Sequence, residues 1–226
     1  MSEAQRLYAR FKHTHLEQGD SNETNQLLDT LAFINYAWDT NAAVGAAAFK
    51  AFDAQIVKQN IHIVLNNLDF SNEQMQEALQ LYYKAQHSYT TANKTYAQFT
   101  EMPALFAAAG FRKLAVFAGQ GGMDNYIDET RSVFAVYRPL VEAFVREMAA
   151  FIKQEAQAPL FKPLYQHGLD VMHWIEFPED MPEQSYMISV PVCLPIVGMT
   201  QLMQVMVLYK TLGISPAELA DKFDCK

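Results

Sequence analysis

The run from Ser185 to Tyr209, SYMISVPVCLPIVGMTQLMQVMVLY, contains no acidic or basic side chain. No other stretch constrains the fold as much. Pro195 suits the first position of a helix and Gly213 the residue just past its end. Between them Ile196, Met199, Met203, Met206, Val207 and Tyr209 leave the helix apolar nearly all round. A helix of that kind is buried on most sides. It is long enough to raise the question of a membrane span. Pro191, Pro195, Gln201 and Gln204 interrupt it and polar segments flank it, which favours the core of a globular domain. A methionine-rich stripe can also serve as an adaptable surface; burial is the reading preferred here.

A chain of 226 residues, half of them hydrophobic and 19% charged, can build the core that such a helix needs. The formal charge is −8. Nucleic-acid binding would require clustered Lys and Arg, so no nucleic-acid partner is expected. The stripe Tyr89, Tyr96 and Phe99 accordingly reads as packing, not as a platform for bases. The two cysteines, Cys193 and Cys225, form no disulfide framework and fit a reducing, cytoplasmic setting. The N-terminus has no apolar leader and no membrane association is expected. His13 and His15 lack the i, i+4 spacing of a helical metal pair, and no metal is expected.

Ahead of the apolar run the chain reads as helices. Ala4–His15 carries Leu7, Tyr8 and Phe11. Asp20-Ser21-Asn22 breaks the chain, and a second helix carries Leu27, Leu28, Leu31, Ile34 and Trp38. Thr40 or Asn41 caps an alanine-rich third helix that Gly45 interrupts. Periodicity leaves Ile61–Leu68 open between strand and helix. Ser71-Asn72-Glu73-Gln74 is a capping box, followed by Met75, Ala78, Leu79 and Tyr82 on one face. Ser88–Thr100 is expected to be a further helix, and Met102–Phe111 another. Arg138-Pro139 marks a helix boundary, because a residue before proline avoids the α region. Leu140, Phe144, Met148 and Phe151 then trace the apolar face of the next helix. Ser215-Pro216-Ala217-Glu218 is a second capping box, with proline at the first helical position.

Chemistry enters at Lys113–Tyr126, KLAVFAGQGGMDNY. Leu114–Phe117 is a short apolar run that suits a buried strand. The small-residue turn Ala118–Gly122 follows. Asp124 suits a helix N-cap, and Asp128 adds negative charge at the helix's positive end. A strand, glycine turn and helix start can aim backbone N–H groups at a negative oxygen. A dinucleotide fingerprint would need glycine at Asp124, so that motif fails. Taken alone, the turn is also compatible with an ordinary strand-to-helix connection. His167 and His173 have no nucleophile or orienting acid beside them in sequence and read as structural. Cys193 precedes a helix N-terminus, where a dipole lowers a thiol pKa. It lies in no nucleophile motif and reads as a buried, inert thiol.

FAGQGG followed by a tyrosine-bearing helix resembles the FGGQG segment that opens the acyltransferase (starter acetyl/acyl transferase) domain of fungal fatty acid synthase β subunits. Gly168–Leu219 resembles a second, longer run of the same family. The resemblance rests on Gly168, Leu169, Trp174, Pro178, Pro182, Tyr186, Ser189, Pro191, Pro195, Gly198, Gln201, Leu202, Leu212, Gly213, Pro216, Glu218 and Leu219. It implies helix for Ile61–Leu68. It implies an α/β fold: a helical N-terminal region over residues 1–110, then, over 111–226, the first strand and helices of an acyltransferase core, incomplete.

The implied reaction moves an acyl group from coenzyme A to a serine and then to the thiol of an acyl carrier protein. The implied role of Gln120 is to donate its backbone N–H to the oxyanion, with Gly119 and Gly121 shaping the turn. Acyl-CoA is the implied substrate, no cofactor is implied within the chain, and other fatty acid synthase chains are implied partners. The family's G-H-S-x-G elbow and catalytic histidine lie beyond the matching stretch. No G-x-S-x-G occurs in the sequence. The expectation is a leading piece, truncated before its nucleophile and inactive in isolation. The alternative is a non-catalytic helical interaction or assembly module.

Overall fold

The computed structural model describes residues 2–15, 22–56, 61–93, 114–115, 126–222 and 224–225. They fall into two units, Met1–Ala108 and Ala109–Lys226.

The first unit is built from α1 (Glu3–His15), α2 (Glu23–Thr40), α3 (Ala42–Ile56), α4 (Ile61–Asn66) and α5 (Asn72–Ala92). Local capping sets the starts. The Asn22 side chain accepts from Asn25 N–H at 2.8 Å, and Asn41 Oδ1 from Ala43 N–H at 3.1 Å. Ser71 and Gln74 close both halves of their capping box. α2 is the central helix: Leu31 and Ile34 are buried between α3 and α5, with Phe49 and Tyr83. Asn35 Nδ2 donates to the Leu81 carbonyl of α5 at 2.9 Å, fixing the register of the two helices. Gly45 is no interruption. A Cβ there would lie 2.7 Å from the Trp38 backbone, so the glycine lets α3 pass against α2. α5 runs through Ser88 to Ala92 without the break expected there, and Tyr89 packs on Phe49 with ring centroids 5.2 Å apart.

The second unit comprises β1 (Leu114–Ala115), α6 (Tyr126–Ala156), α7 (Val171–Glu176), α8 (Gln184–Met187), α9 (Val190–Leu212), α10 (Pro216–Lys222) and β2 (Asp224–Cys225). Its core forms where α6 lies along α9. Val141, Val145, Ala149 and Ile152 of α6 meet Val192, Cys193, Ile196, Met199 and Met203 of α9, and Leu169, Val171 and Trp174 close one side.

The α/β expectation is corrected. Extended pairing among the described residues is one parallel match, Leu114 with Asp224 and Ala115 with Cys225. Two residues a side cannot form a layer on which helices bury an apolar face. The architecture is helical, and the core is helix on helix. The α/β core was expected from resemblance and its strand from the short apolar run Leu114–Phe117, whereas every long apolar repeat in the described residues has helical spacing.

Two helix boundaries and one buried face also shift. α6 continues through Pro139 and bends at Tyr137, whose φ of −110° and ψ of 20° leave the helical region. Its buried stripe is Val141, Val145, Ala149 and Ile152, one residue on from the bulkier Leu140, Phe144, Met148 and Phe151. α9 starts at Val190, so Pro191 takes the N-terminal position and Pro195 lies inside the helix. Pro195 has no N–H for the Pro191 carbonyl. The Tyr165 hydroxyl donates to that carbonyl instead, at 3.1 Å. Gly213 ends α9 in the left-handed region at φ 65°, as expected.

Candidate functional site

Gly119, Gln120 and Gly121 lie outside the described residues, as does the expected cap Asp124. The structure describes what flanks them: Ala115 at the end of β1, and Tyr126 at the start of α6. The parallel match to Asp224 and Cys225 holds the first flank.

The second flank is anchored on three elements. The Tyr126 hydroxyl donates to the Met187 carbonyl of α8 at 2.8 Å. Arg131 donates to the Trp174 carbonyl of α7 from Nε at 3.1 Å and from Nη2 at 2.7 Å, and from Nη1 to Asp128 at 2.8 Å. The charge expected of Asp128 at the helix start is therefore shared with a guanidinium. On α9, Gln204 Nε2 donates to Glu129 at 2.6 Å, and Thr200 Oγ1 lies 2.6 Å from Thr130 Oγ1. Both threonine hydroxyls also face carbonyls of their own helices, Tyr126 at 2.8 Å and Ile196 at 2.9 Å. Two protons serve three contacts, so one hydroxyl donates across the interface and the other within its helix. Burial raises the Tyr126 phenol far above its ordinary range, keeping it a neutral donor.

The side chains weighed as nucleophile or base take structural roles. Cys193 is 0% exposed, and burial pushes its thiol up. A thiol held protonated is a poor nucleophile. His173 Nε2 meets Asp180 at 2.8 Å and its ring packs on Phe177, folding the turn Pro178–Asp180 back onto α7. His167 packs edge-on against Tyr186, whose hydroxyl donates to the Gly168 carbonyl at 2.5 Å. No group of three metal-ligating side chains occurs among the described residues. The described part of the unit thus supplies a rigid mount for the start of α6.

Sequence reading missed the Tyr165 contact to Pro191, although Pro195 signals an acceptor in need of a donor. It also missed that α9 keeps one apolar face uncovered. Val190, Leu194 and Leu202 are more than half exposed.

No family model matches the chain. It is 30% identical over 163 residues to the fatty acid synthase subunit beta of Schizosaccharomyces pombe, covering 72% of this chain and 8% of that protein. It is 28% identical over 232 residues to the fatty acid synthase beta subunit TOXC of Cochliobolus carbonum, covering 94% of this chain and 11% of the relative. With the Saccharomyces cerevisiae fatty acid synthase subunit beta it shares 32% identity over 120 residues, 51% of this chain and 6% of the relative. The chain therefore spans about a tenth or less of the length of these curated relatives.

Proposed function

From the premise that this chain is homologous to fungal fatty acid synthase β subunits over much of its length, we propose that it is the leading part of an acyltransferase domain. That domain moves acetyl or other acyl groups from coenzyme A to an acyl carrier protein in the cytoplasm. The turn at Gly119-Gln120-Gly121 contributes one oxyanion donor, the Gln120 backbone N–H. The observation that supports this reading is the anchoring of the described flanks, β1 before the turn in sequence and α6 after it, the latter held at Tyr126, Thr130 and Arg131. A donor works as an oxyanion hole only when its surroundings hold it still. The nucleophilic serine and its base are supplied by sequence this chain does not contain, so the chain alone forms no acyl-enzyme. The second reading is a non-catalytic assembly module. It is favoured by the helical architecture and by the structural roles of Cys193, His167 and His173.

The test replaces the matched stretch of the Schizosaccharomyces pombe β subunit with this chain and measures single-turnover acylation from radiolabelled acetyl-CoA. Gln120→Ala keeps the N–H and should leave the rate within a few-fold of the parent chimera. Gln120→Pro removes it and should lower the rate by about 10²–10³. Gly121→Ala reports how much of that loss is steric, and melting curves exclude unfolding. Equal damage from Gln120→Ala and Gln120→Pro in folded proteins would refute the backbone-donor assignment. A folded parent chimera without acylation would favour the assembly module.

A further inference from the structure

We infer that Asn35 and Trp38, three residues apart on α2, form a buried binding site for a single water molecule, which accepts from the Trp38 indole N–H and donates to the Asn35 side-chain oxygen. The site lies in the first unit and does not depend on the acyl-transfer reading.

Among the described residues, two buried side-chain atoms have no hydrogen-bond partner in the chain, Asn35 Oδ1 and Trp38 Nε1. An indole N–H can only donate, and an amide oxygen can only accept. Leaving either unpaired in a core costs more than an ordinary hydrogen bond contributes. Buried polar groups are accordingly paired, with protein or with ordered water. Here the two atoms are opposite in character and belong to neighbouring side chains.

Neither can turn to a partner elsewhere. Asn35 is 5% exposed. Its Nδ2 donates to the Leu31 carbonyl of its own helix and to the Leu81 carbonyl of α5, each at 2.9 Å. Turning the amide over would set its oxygen against two carbonyl oxygens, so Nδ2 keeps the α5 side and Oδ1 points away from it. Trp38 is held by α3. Gly45 brings the α3 backbone so close that a Cβ there would lie 2.7 Å from Trp38 Cα and Cγ. Long side chains in a helix lean back over the residues three and four positions earlier. For Trp38 these are Asn35 and Ile34. No direct bond joins Asn35 Oδ1 to Trp38 Nε1, and one water accepting from the first helix neighbour and donating to the second satisfies both.

The class of ligand follows from the same two atoms. A cation would meet the indole N–H and an anion the amide oxygen, each with the wrong sign. A neutral group that both donates and accepts suits the pair. Both atoms are cut off from solvent, which favours the smallest such group, water. Trp38 as a whole is only half-buried, which puts the site within reach of the surface.

The experiment uses the full chain labelled with nitrogen-15 tryptophan, and the probe is water itself. Trp38→Phe identifies which of the two indole signals belongs to Trp38. Cross-relaxation from water to the indole proton is then measured in the wild-type chain. A cross-peak at Trp38 with the sign of a long-lived bound water is expected, and Asn35→Leu should abolish it while helical circular dichroism is retained. A crystal structure of the wild-type chain gives a reading without variants: one solvent peak within hydrogen-bonding distance of both atoms. Where Asn35→Leu does not fold, the crystal structure decides. The inference is overturned if the cross-peak is absent, if it persists in folded Asn35→Leu, or if the crystal shows the indole donating directly to a protein oxygen.

Discussion

Gly45 and Gly198 both sit inside helices, and the same substitution should act on them with opposite sign. At Gly198 alanine meets open space. At Gly45 the added methyl group meets the backbone nitrogen and Cα of Trp38 at 2.7 Å, atoms that cannot rotate away. Alanine gains about 1 kcal/mol in helix propensity at either position, but forcing α2 and α3 apart costs more. Overpacking penalties of about 1–3 kcal/mol are usual, and more when backbone must shift. Gly45→Ala should therefore lower stability by a net ~1–2 kcal/mol, the upper part of that penalty less the propensity gain, read from urea midpoints with an unchanged slope. A neutral result would mean that the α2–α3 crossing is looser than the geometry indicates. Asn35, one turn before Trp38, makes a polar contact on the other side of α2, with α5. Its Nδ2 ties α2 to α5, so this helix has no freedom to slide and relieve the clash.

At the scale of elements, the contact that registers α6 on α9 is the Thr130–Thr200 pair, both side chains buried. Replacing one with valine strands the other's lone pair in the core and should cost about 1–3 kcal/mol. Replacing both removes the demand altogether, and the double variant should be closer to wild type than either single one. A double variant equal to the sum of the singles would show that the hydroxyls act independently. Nothing in the spacing of Thr130 and Thr200 announces the pair. What sequence does announce is local: the boxes at Ser71/Gln74 and Ser215/Glu218, the cap at Asn41, the stop at Gly213. Each depends on atoms a few residues apart. The inward face of α6 does not. Leu140, Phe144, Met148 and Phe151 repeat as well as Val141, Val145, Ala149 and Ile152, and only a partner decides between adjacent stripes. α9 took the smaller set, which lets the axes approach. The sheet failed for the same reason, since strand pairing is non-local. The turn Gly119–Gly121 was legible as a motif, and the anchoring of α6 behind it, through Tyr126, Arg131 and Gln204, was not.

Across the whole molecule, acid should act on the two units in different pH windows. In the first, His62 Nε2 lies 2.9 Å from the Tyr83 hydroxyl, and burial lowers its pKa from 6.5. The folded state disfavours the imidazolium, so its contribution is intact above 6.5 and lost as pH falls from there towards the folded value. In the second, the Arg138 guanidinium, then Arg146, holds the Glu142 carboxyl below 4.5. That contribution is intact above 4.5 and lost below it. Melting temperature should therefore fall between pH 7 and 5 in the wild-type chain and flatten in His62→Gln; an unchanged slope would exclude His62 as the cause. The order of elements along the second unit has another consequence, for synthesis. α6 leaves the ribosome before α9, the surface that covers its stripe. With Ala156 and Val190 as the facing ends, the delay at ~5–20 residues per second is roughly 2–7 s. α7 arrives within it, bringing Val171, Trp174 and Ile175, all buried in the finished fold. The short helix is therefore the first cover available to a nascent α6, and its loss would be felt as aggregation during translation before it was felt as instability afterwards.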